Sequence, residues 1–263
     1  MIPLGLFGAS FLQDADAAAF ISARSIANTT EVVALHVLVQ ELKSASIWPK
    51  LRCCYPFAGA TAFTQAGNLK STGVYDLTFH GGITHSANGV QWNGTTGYAD
   101  TGFVPSGTLT QNSEHYSYYS RSSSTANGYD IGSAHLTGQY QWSGVGTYAA
   151  QFNAFINNAN SATATVTVNI ADGSGYWVGS RTSSNSLSAF RNGISLGSNT
   201  ETNIWVQANN TVCLGATNLG SSVIQFSPRQ MAFATIGDGL TPTDVANLYS
   251  IVQAYQTALG RAV

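Results

Sequence analysis

Charge is what this chain has least of. Asp, Glu, Lys and Arg together make up 8% of its 263 residues, against roughly 25% in an ordinary domain. The ten basic residues are scattered singly and the net charge is −2. No cluster of Lys or Arg could neutralise several phosphates, which excludes nucleic acid as the expected partner. Glu occurs only four times, at Glu31, Glu41, Glu114 and Glu201. A mainly helical protein would carry many more Glu and Lys on its surface. Cysteine is scarce too. Cys53, Cys54 and Cys213 are odd in number and two are adjacent, which argues against a disulfide framework and for three small buried apolar side chains in a reducing compartment. No apolar run reaches the roughly 18 residues that suggest a membrane span. The opening Met1-Ile-Pro-Leu-Gly-Leu-Phe has no basic segment before it, so no signal peptide is expected.

What is present points to β-structure. Polarity comes from Ser, Thr, Asn, Gln and 27 glycines, and five Trp, 12 Tyr and 12 Phe supply the material for a sizeable core. Thr and Tyr suit strands, whereas Gly, Asn and Ser suit turns. Three parts are expected. Residues 1–12 read as an apolar arm whose Ile2, Leu4, Leu6 and Phe7 must be buried, on this chain's own sandwich or on a neighbouring subunit. Residues 13–50 read as a helical lead-in. One short helix spans Asp14 to Arg24, with Asp14 and Asp16 in its first turn. A second spans Asn28 to Ser44, where Asn28 and Glu31 have capping-box spacing and Val32, Leu35, Val39 and Leu42 form one stripe.

Residues 51–263 read as an antiparallel β-sandwich closed by a helix. Thr163 to Ile170, Glu114 to Arg121, Tyr176 to Thr182 and Met231 to Ile236 are expected strands. Asn192-Gly193, between alternating apolar residues, predicts a type I′ hairpin turn. In the closing helix Thr241 is the N-cap, Pro242 takes the first position, and Val245, Leu248, Val252, Tyr255 and Leu259 make the buried stripe before Gly260.

Three passages carry a resemblance. They are Gly89-Val-Gln-Trp-Asn-Gly-Thr-Thr-Gly-Tyr-Ala-Asp100, then Phe190-Arg-Asn-Gly-Ile, then the series Val212-Cys-Leu-Gly-Ala216, Ala232-Phe-Ala-Thr-Ile236 and Leu240-Thr-Pro-Thr-Asp244. In this order, over roughly residues 50–260, the chain resembles concanavalin A-like, laminin-G-like jelly-roll domains. With its helical lead-in it resembles those of bacteriophage virion proteins. The resemblance implies a mainly β jelly roll. It also implies one of several functions, since this family includes lectins, adhesion modules, glycan hydrolases and structural virion parts.

The family's hydrolases carry paired carboxylates as Glu-x-Asp-x-x-Glu. Here neither Glu114 nor Glu201 has an acidic neighbour within five residues, so no enzyme is expected. His80 and His85 lack the further ligands a zinc site needs. No resident cofactor is expected. Some members of the family hold calcium at one end of the sandwich, and Asp100, Asp130 and Asp172 are the candidates for that role, or else simply aspartates making turns. Sugar binding needs flat aromatic faces beside amides or hydroxyls. Tyr140, Trp142 and Tyr148, with Phe152 nearby, surround the Gly-rich segment 138–146 and are the candidate glycan contacts; Trp92 and Trp205 are others. Each, taken singly, also reads as core. The expected role is therefore a phage virion structural protein, in a decoration, fibre or tail position, that adheres to glycans. Its expected partners are other virion proteins and further copies of itself, and its expected place is the virion, with an extracellular setting as the alternative. A stand-alone carbohydrate-binding module is the alternative function and a glycoside hydrolase the third reading.

Overall fold

The computed structural model describes residues 13–137, 139–159, 164–202 and 206–263. Two helices come first, α1 (Ala15–Ala23) and α2 (Thr29–Ser44), followed by a 3-10 turn at Trp48–Lys50. The strands are β1 (Leu51–Tyr55), β2 (Thr78–His80), β3 (Ile83–Ser86), β4 (Gly89–Trp92), β5 (Tyr98–Asp100), β6 (Glu114–Ser120), β7 (Gly128–Thr137), β8 (Gln139–Tyr148) and β9 (Gln151–Ala159). They continue with β10 (Val166–Asn169), β11 (Gly175–Ser183), β12 (Ser186–Arg191), β13 (Ile194–Asn199), β14 (Cys213–Leu214), β15 (Thr217–Asn218), β16 (Val223–Ile224) and β17 (Gln230–Gly237). A single turn of helix, α3 (Ala62–Gln65), sits between β1 and β2, and α4 (Pro242–Ala258) closes the chain.

Two sheets stack face to face. The first runs β13-β12-β11-β6-β17-β4-β3, with β1 also pairing with β17. The second runs β10-β9-β8-β7-β14-β5-β2, with β15 and β16 at its side. Every pairing between these strands is antiparallel except β15 with β7. The expected sandwich is therefore present, and the helices add a third layer. Strand β6 shows why the sequence specifies this. Its residues are buried throughout, and its side chains alternate between two apolar layers. Tyr116 and Tyr118 lie between the sheets with Trp177, Phe152 and Ile131, whereas Tyr119 faces the helices with Leu35, Val39, Leu248 and Val252. Trp177 and Phe152 stack at 4.6 Å. Complete burial of side chains this large stabilises by roughly 1.5–3 kcal/mol each. Residues 13–50 share their apolar layer with the outer face of the first sheet. Cys53, Cys54 and Cys213 are free and fully buried. No helix among the described residues is long and apolar enough to cross a membrane.

Local signals mostly act as expected. Asn192 and Gly193 both take positive φ, 50° and 78°, and pair Arg191 with Ile194 across a two-residue turn. Thr241 caps α4 in a reciprocal box with Asp244, and Gly260 ends the helix at φ 66°. Three details differ. Asp14 is the N-cap of α1 rather than a first-turn residue, because its carboxylate accepts from the Asp16 and Ala17 amides. Asn28 caps α2, but Glu31 does not complete the box; its carboxylate accepts instead from the Gly59 amide at 2.8 Å. The strand expected over Thr163 to Ile170 is β10, which starts only at Val166, while residues 160–163 lie outside those described. The expected arm contacts Ile2, Leu4, Leu6 and Phe7 also lie outside the described residues.

Candidate functional site

The first sheet is covered on both sides, by the second sheet and by the helices. The second sheet buries one face and presents the other outward, and strands β7 to β10 form the broad part of that outward face. Val145, Phe152, Ala154, Ile156 and Val166 point into the inter-sheet core. Period-two alternation then sends Trp142, Gly144, Gly146 and Tyr148 of β8, Gln151, Asn153 and Phe155 of β9, and Thr167 and Asn169 of β10 the other way. No charged residue occurs anywhere in β8, β9 or β10.

An aromatic cluster occupies this face. Tyr129 meets Phe155 edge-on at 4.7 Å and Trp142 at 5.9 Å, and Trp142 meets Phe155 at 6.2 Å. The T-shaped geometry is the favoured one for such pairs. Gly146 makes it sterically feasible, since a Cβ there would lie 2.4 Å from Tyr129 Cα and 2.7 Å from its ring. Burial raises the Tyr129 pKa above its ordinary value, and the neighbouring Tyr148 phenol adds to the effect. Tyr148 is 45% exposed at the edge of the cluster. Beside it lies a strip of amides and hydroxyls. Gln151 donates to Asn169 Oδ1 at 2.9 Å, and Thr167 Oγ1 donates to Asn153 Oδ1 at 2.9 Å. These bonds hold the polar groups in fixed positions and leave lone pairs and N–H groups to spare.

Of the expected sugar contacts, the structure places Trp142 and Tyr148 on this one face. Tyr140 falls in the same strand, in register with Leu136, and its side chain lies outside those described. Phe152 and Trp92 are core residues, and Trp205 lies outside the described residues. Tyr129 and Phe155 were not expected here. Phe155 could have been found by counting alternate residues from Phe152. Tyr129 could not, because Asp130 is an extra residue: Tyr129 pairs with Gly146 and Ile131 with Val145, its neighbour. This bulge puts Tyr129 outside and both Asp130 and Ile131 inside.

A second bulge mirrors the first. Gly144 pairs with Phe155 and Trp142 with Asn158, so β9 carries an extra residue, and Asn157 adopts φ 52°. Its buried side chain donates to Glu114 Oε2 at 3.0 Å and accepts from Ser143 Oγ at 3.0 Å. Tyr116 donates to the other Glu114 oxygen. Burial pushes the Glu114 carboxyl above its usual range, against the opposing pull of Tyr116, Asn157, Gln207 and Arg181. Glu114 is thus sealed between the sheets, and Glu201 is exposed beyond β13.

The calcium candidates do not converge. Asp130 is fully buried in an ion pair with Arg229 at 3.0 Å and accepts from Ser227 at 2.6 Å. Asp100 accepts from the Gly102 amide at 2.8 Å and from Thr211 at 2.9 Å. Asp172 accepts from Ser174 and pairs with Arg191 at 2.5 Å. Each carboxylate is committed to its own partner, and among the described residues no group of three or more His, Cys, Asp or Glu could hold a metal ion.

No protein-family model matches the chain, and no curated protein matches it by sequence. Solved structures do match in shape. A mutant Trypanosoma rangeli sialidase with trans-sialidase activity is similar at TM-score 0.55 and 10% identity, over 82% of this chain and 38% of that one. A botulinum neurotoxin type C structure, described as showing cell entry dependent on two ganglioside molecules, is similar at TM-score 0.55 and 10% identity, over 80% and 53%. The botulinum neurotoxin serotype D binding domain is similar at 0.54 and 9%, over 78% and 52%. The chain thus spans between 38% and 53% of these proteins' own lengths. At such identities the likeness is one of fold, and the fold is an antiparallel jelly-roll β-sandwich.

Proposed function

We propose that this protein binds glycans through the outward face of strands β7 to β10. One observation carries the reading: an aromatic cluster, Tyr129, Trp142 and Phe155 with the exposed Tyr148, lies on a charge-free sheet face beside a fixed strip of Asn, Gln and Thr. Aromatic faces cover the C–H side of a sugar ring, and amides and hydroxyls pair with its edges. The absence of charge from β8, β9 and β10 favours neutral sugar chains over acidic ones. Shape neighbours whose descriptions name gangliosides or trans-sialidase activity support glycan binding in general, and the preference for neutral chains rests on the charge-free face alone.

The test is affinity electrophoresis and a glycan array with the parent, Tyr148→Ala and Trp142→Ala. Each substitution weakens binding by roughly tenfold, the loss expected of an anchoring aromatic. Tyr148, being exposed, leaves the melting temperature unchanged. Parent and variants binding alike, or a folded parent that binds no glycan, removes the proposal.

We read the protein as a binder rather than a hydrolase, because Glu114 is sealed in the core and, among the described residues, no second carboxylate stands beside it. Turnover of a bound glycan that disappears in Glu114→Gln would reverse this. The setting we propose is a bacteriophage particle, as the resemblance of the whole arrangement with its helical lead-in implies, and the uncharged polar surface suits crowded assembly. Mass spectrometry of purified particles then finds the chain in stoichiometric amounts, and its absence there removes the setting.

A further inference from the structure

On the opposite side of the molecule, α2 and α4 leave an open apolar groove. It is lined by Val33, Val37 and Leu38 of α2 and by Ile251, Ala254 and Ala258 of α4, with a volume of about 370 Å³. That lies within the roughly 300–1,000 Å³ of ordinary ligand sites. Val33 is 43% and Val37 39% exposed, although Leu38, on the same helix, is fully packed. A helix seldom turns two β-branched apolar residues to water beside a cavity unless something covers them.

The chain itself supplies a cover of matching chemistry. Residues 1–12 contain Ile2, Leu4, Leu6, Phe7, Phe11 and Leu12 and no charged side chain. The point at which they join the fold is fixed. The Asp14 amide donates to His36 Nδ1 on α2 at 3.0 Å, and Lys43 on α2 holds Asp14 at 2.7 Å and Asp16 at 2.6 Å. Val33 and Val37 lie three residues before and one after His36, within about one 5.4 Å turn along the same helix. Reaching the groove means passing around a helix roughly 10 Å across. The seven residues from Phe7 to Asp14 can span about 23 Å at roughly 3.3 Å each. A tether this short gives an effective concentration on the order of millimolar, well above that of a second copy in dilute solution. We infer that the α2–α4 groove is the docking site of this chain's own N-terminal arm, with Leu4, Leu6 and Phe7 covering Val33 and Val37.

Cysteine pairing in the full chain tests this, since the native cysteines are all fully buried and do not interfere. Leu6→Cys combined with Val37→Cys, under mild oxidation, gives an internally bridged monomer that runs faster on a non-reducing gel. The rate of bridging is independent of protein concentration. Leu6→Cys with Thr167→Cys, on the far sheet, forms the bridge at least tenfold more slowly. Should the first pair fold poorly, Leu4→Cys with Ala254→Cys, an exposed position on the other wall, serves in its place. Equal bridging at Val37 and Thr167, no bridging at either wall, or concentration-dependent dimers joined through the groove would each overturn the inference. Because the groove lies on the helix layer, glycan binding is unaffected by Leu6→Cys with Val37→Cys.

Discussion

At the scale of single residues, the most informative group is one that no motif announces. His115 on β6 is fully buried under the helices. Its Nδ1 lies 2.6 Å from the Asp238 carbonyl, which can only accept, so Nδ1 carries the proton. Nε2 must then accept from Thr235 Oγ1 at 2.9 Å. Ser117 in turn donates to Thr235, and Tyr176 donates to Ser117 at 2.7 Å. The result is a one-way chain of four side chains that ends on a neutral imidazole. A second proton on His115 would leave two donors facing each other at Thr235. Burial accordingly lowers the His115 pKa to about 4, against the weaker pull of the Asp238 carbonyl.

The sign of the linkage follows. Above pH 6.5 both folded and unfolded chains hold His115 neutral. As pH falls from 6.5 to about 4 the unfolded chain takes up a proton that the folded one refuses, and stability falls by up to about 3 kcal/mol. Urea unfolding at pH 7 and pH 4.5 should show this loss, and His115→Gln should show a smaller difference between the two pH values. An equal difference in both proteins would remove His115 as the cause. Alternation through the expected strand Glu114 to Arg121 puts His115, Ser117 and Tyr119 on one face and Tyr116 and Tyr118 on the other, as in the structure. It could not show that distant Thr235 and Tyr176 complete the chain, because pairing across the sheet is not written in local spacing.

At the scale of elements, the reading succeeded where a signal is complete within a few residues and failed where a partner lay elsewhere. Thr241, Pro242 and Asp244 form a full cap within four positions, and α4 begins where they direct. Asp244 also accepts from Lys50 at 2.6 Å, tying the start of α4 to the edge of β1. Thr241→Ala should therefore cost about 1 kcal/mol in chemical denaturation, whereas Thr241→Ser should be nearly neutral. A silent Thr241→Ala would mean that Asp244 and Lys50 hold the helix start unaided. Asn28 and Glu31 have the same kind of spacing, yet Glu31 turns to Gly59, a competitor that sequence distance conceals. The two bulges are harder still. Asp130 and Asn157 each break the period of two by one residue, so alternation counted through β7 assigns Tyr129 to the wrong side. Both extra residues are polar and buried, and each meets an ionisable side chain across the core, Arg229 for Asp130 and Glu114 for Asn157.

At the scale of the whole molecule, two stacked antiparallel sheets were legible from composition, turn residues and alternation together. The order of strands within them was not, since β14, β5 and β2 become neighbours only through long connections. The partnership of the helices was partly visible. Their apolar stripes required something to cover, but nothing local says that this is the outer face of the first sheet. Half of the candidate site was visible for the same reason: Trp142 and Tyr148 stand in one strand, whereas Tyr129 and Phe155 join them only through pairing.

The three-layer build has a consequence for how such a molecule can change. Most side chains of the central strands of the first sheet, β6, β11 and β17, are held by neighbours above and below, so variation there disturbs packing. The exposed outward positions of β8 and β10, by contrast, answer to no core. Residues such as Tyr148, Thr167 and Asn169 can be exchanged at a cost of about 0.5 kcal/mol or less. Exchange at these positions therefore leaves the scaffold behind them constant.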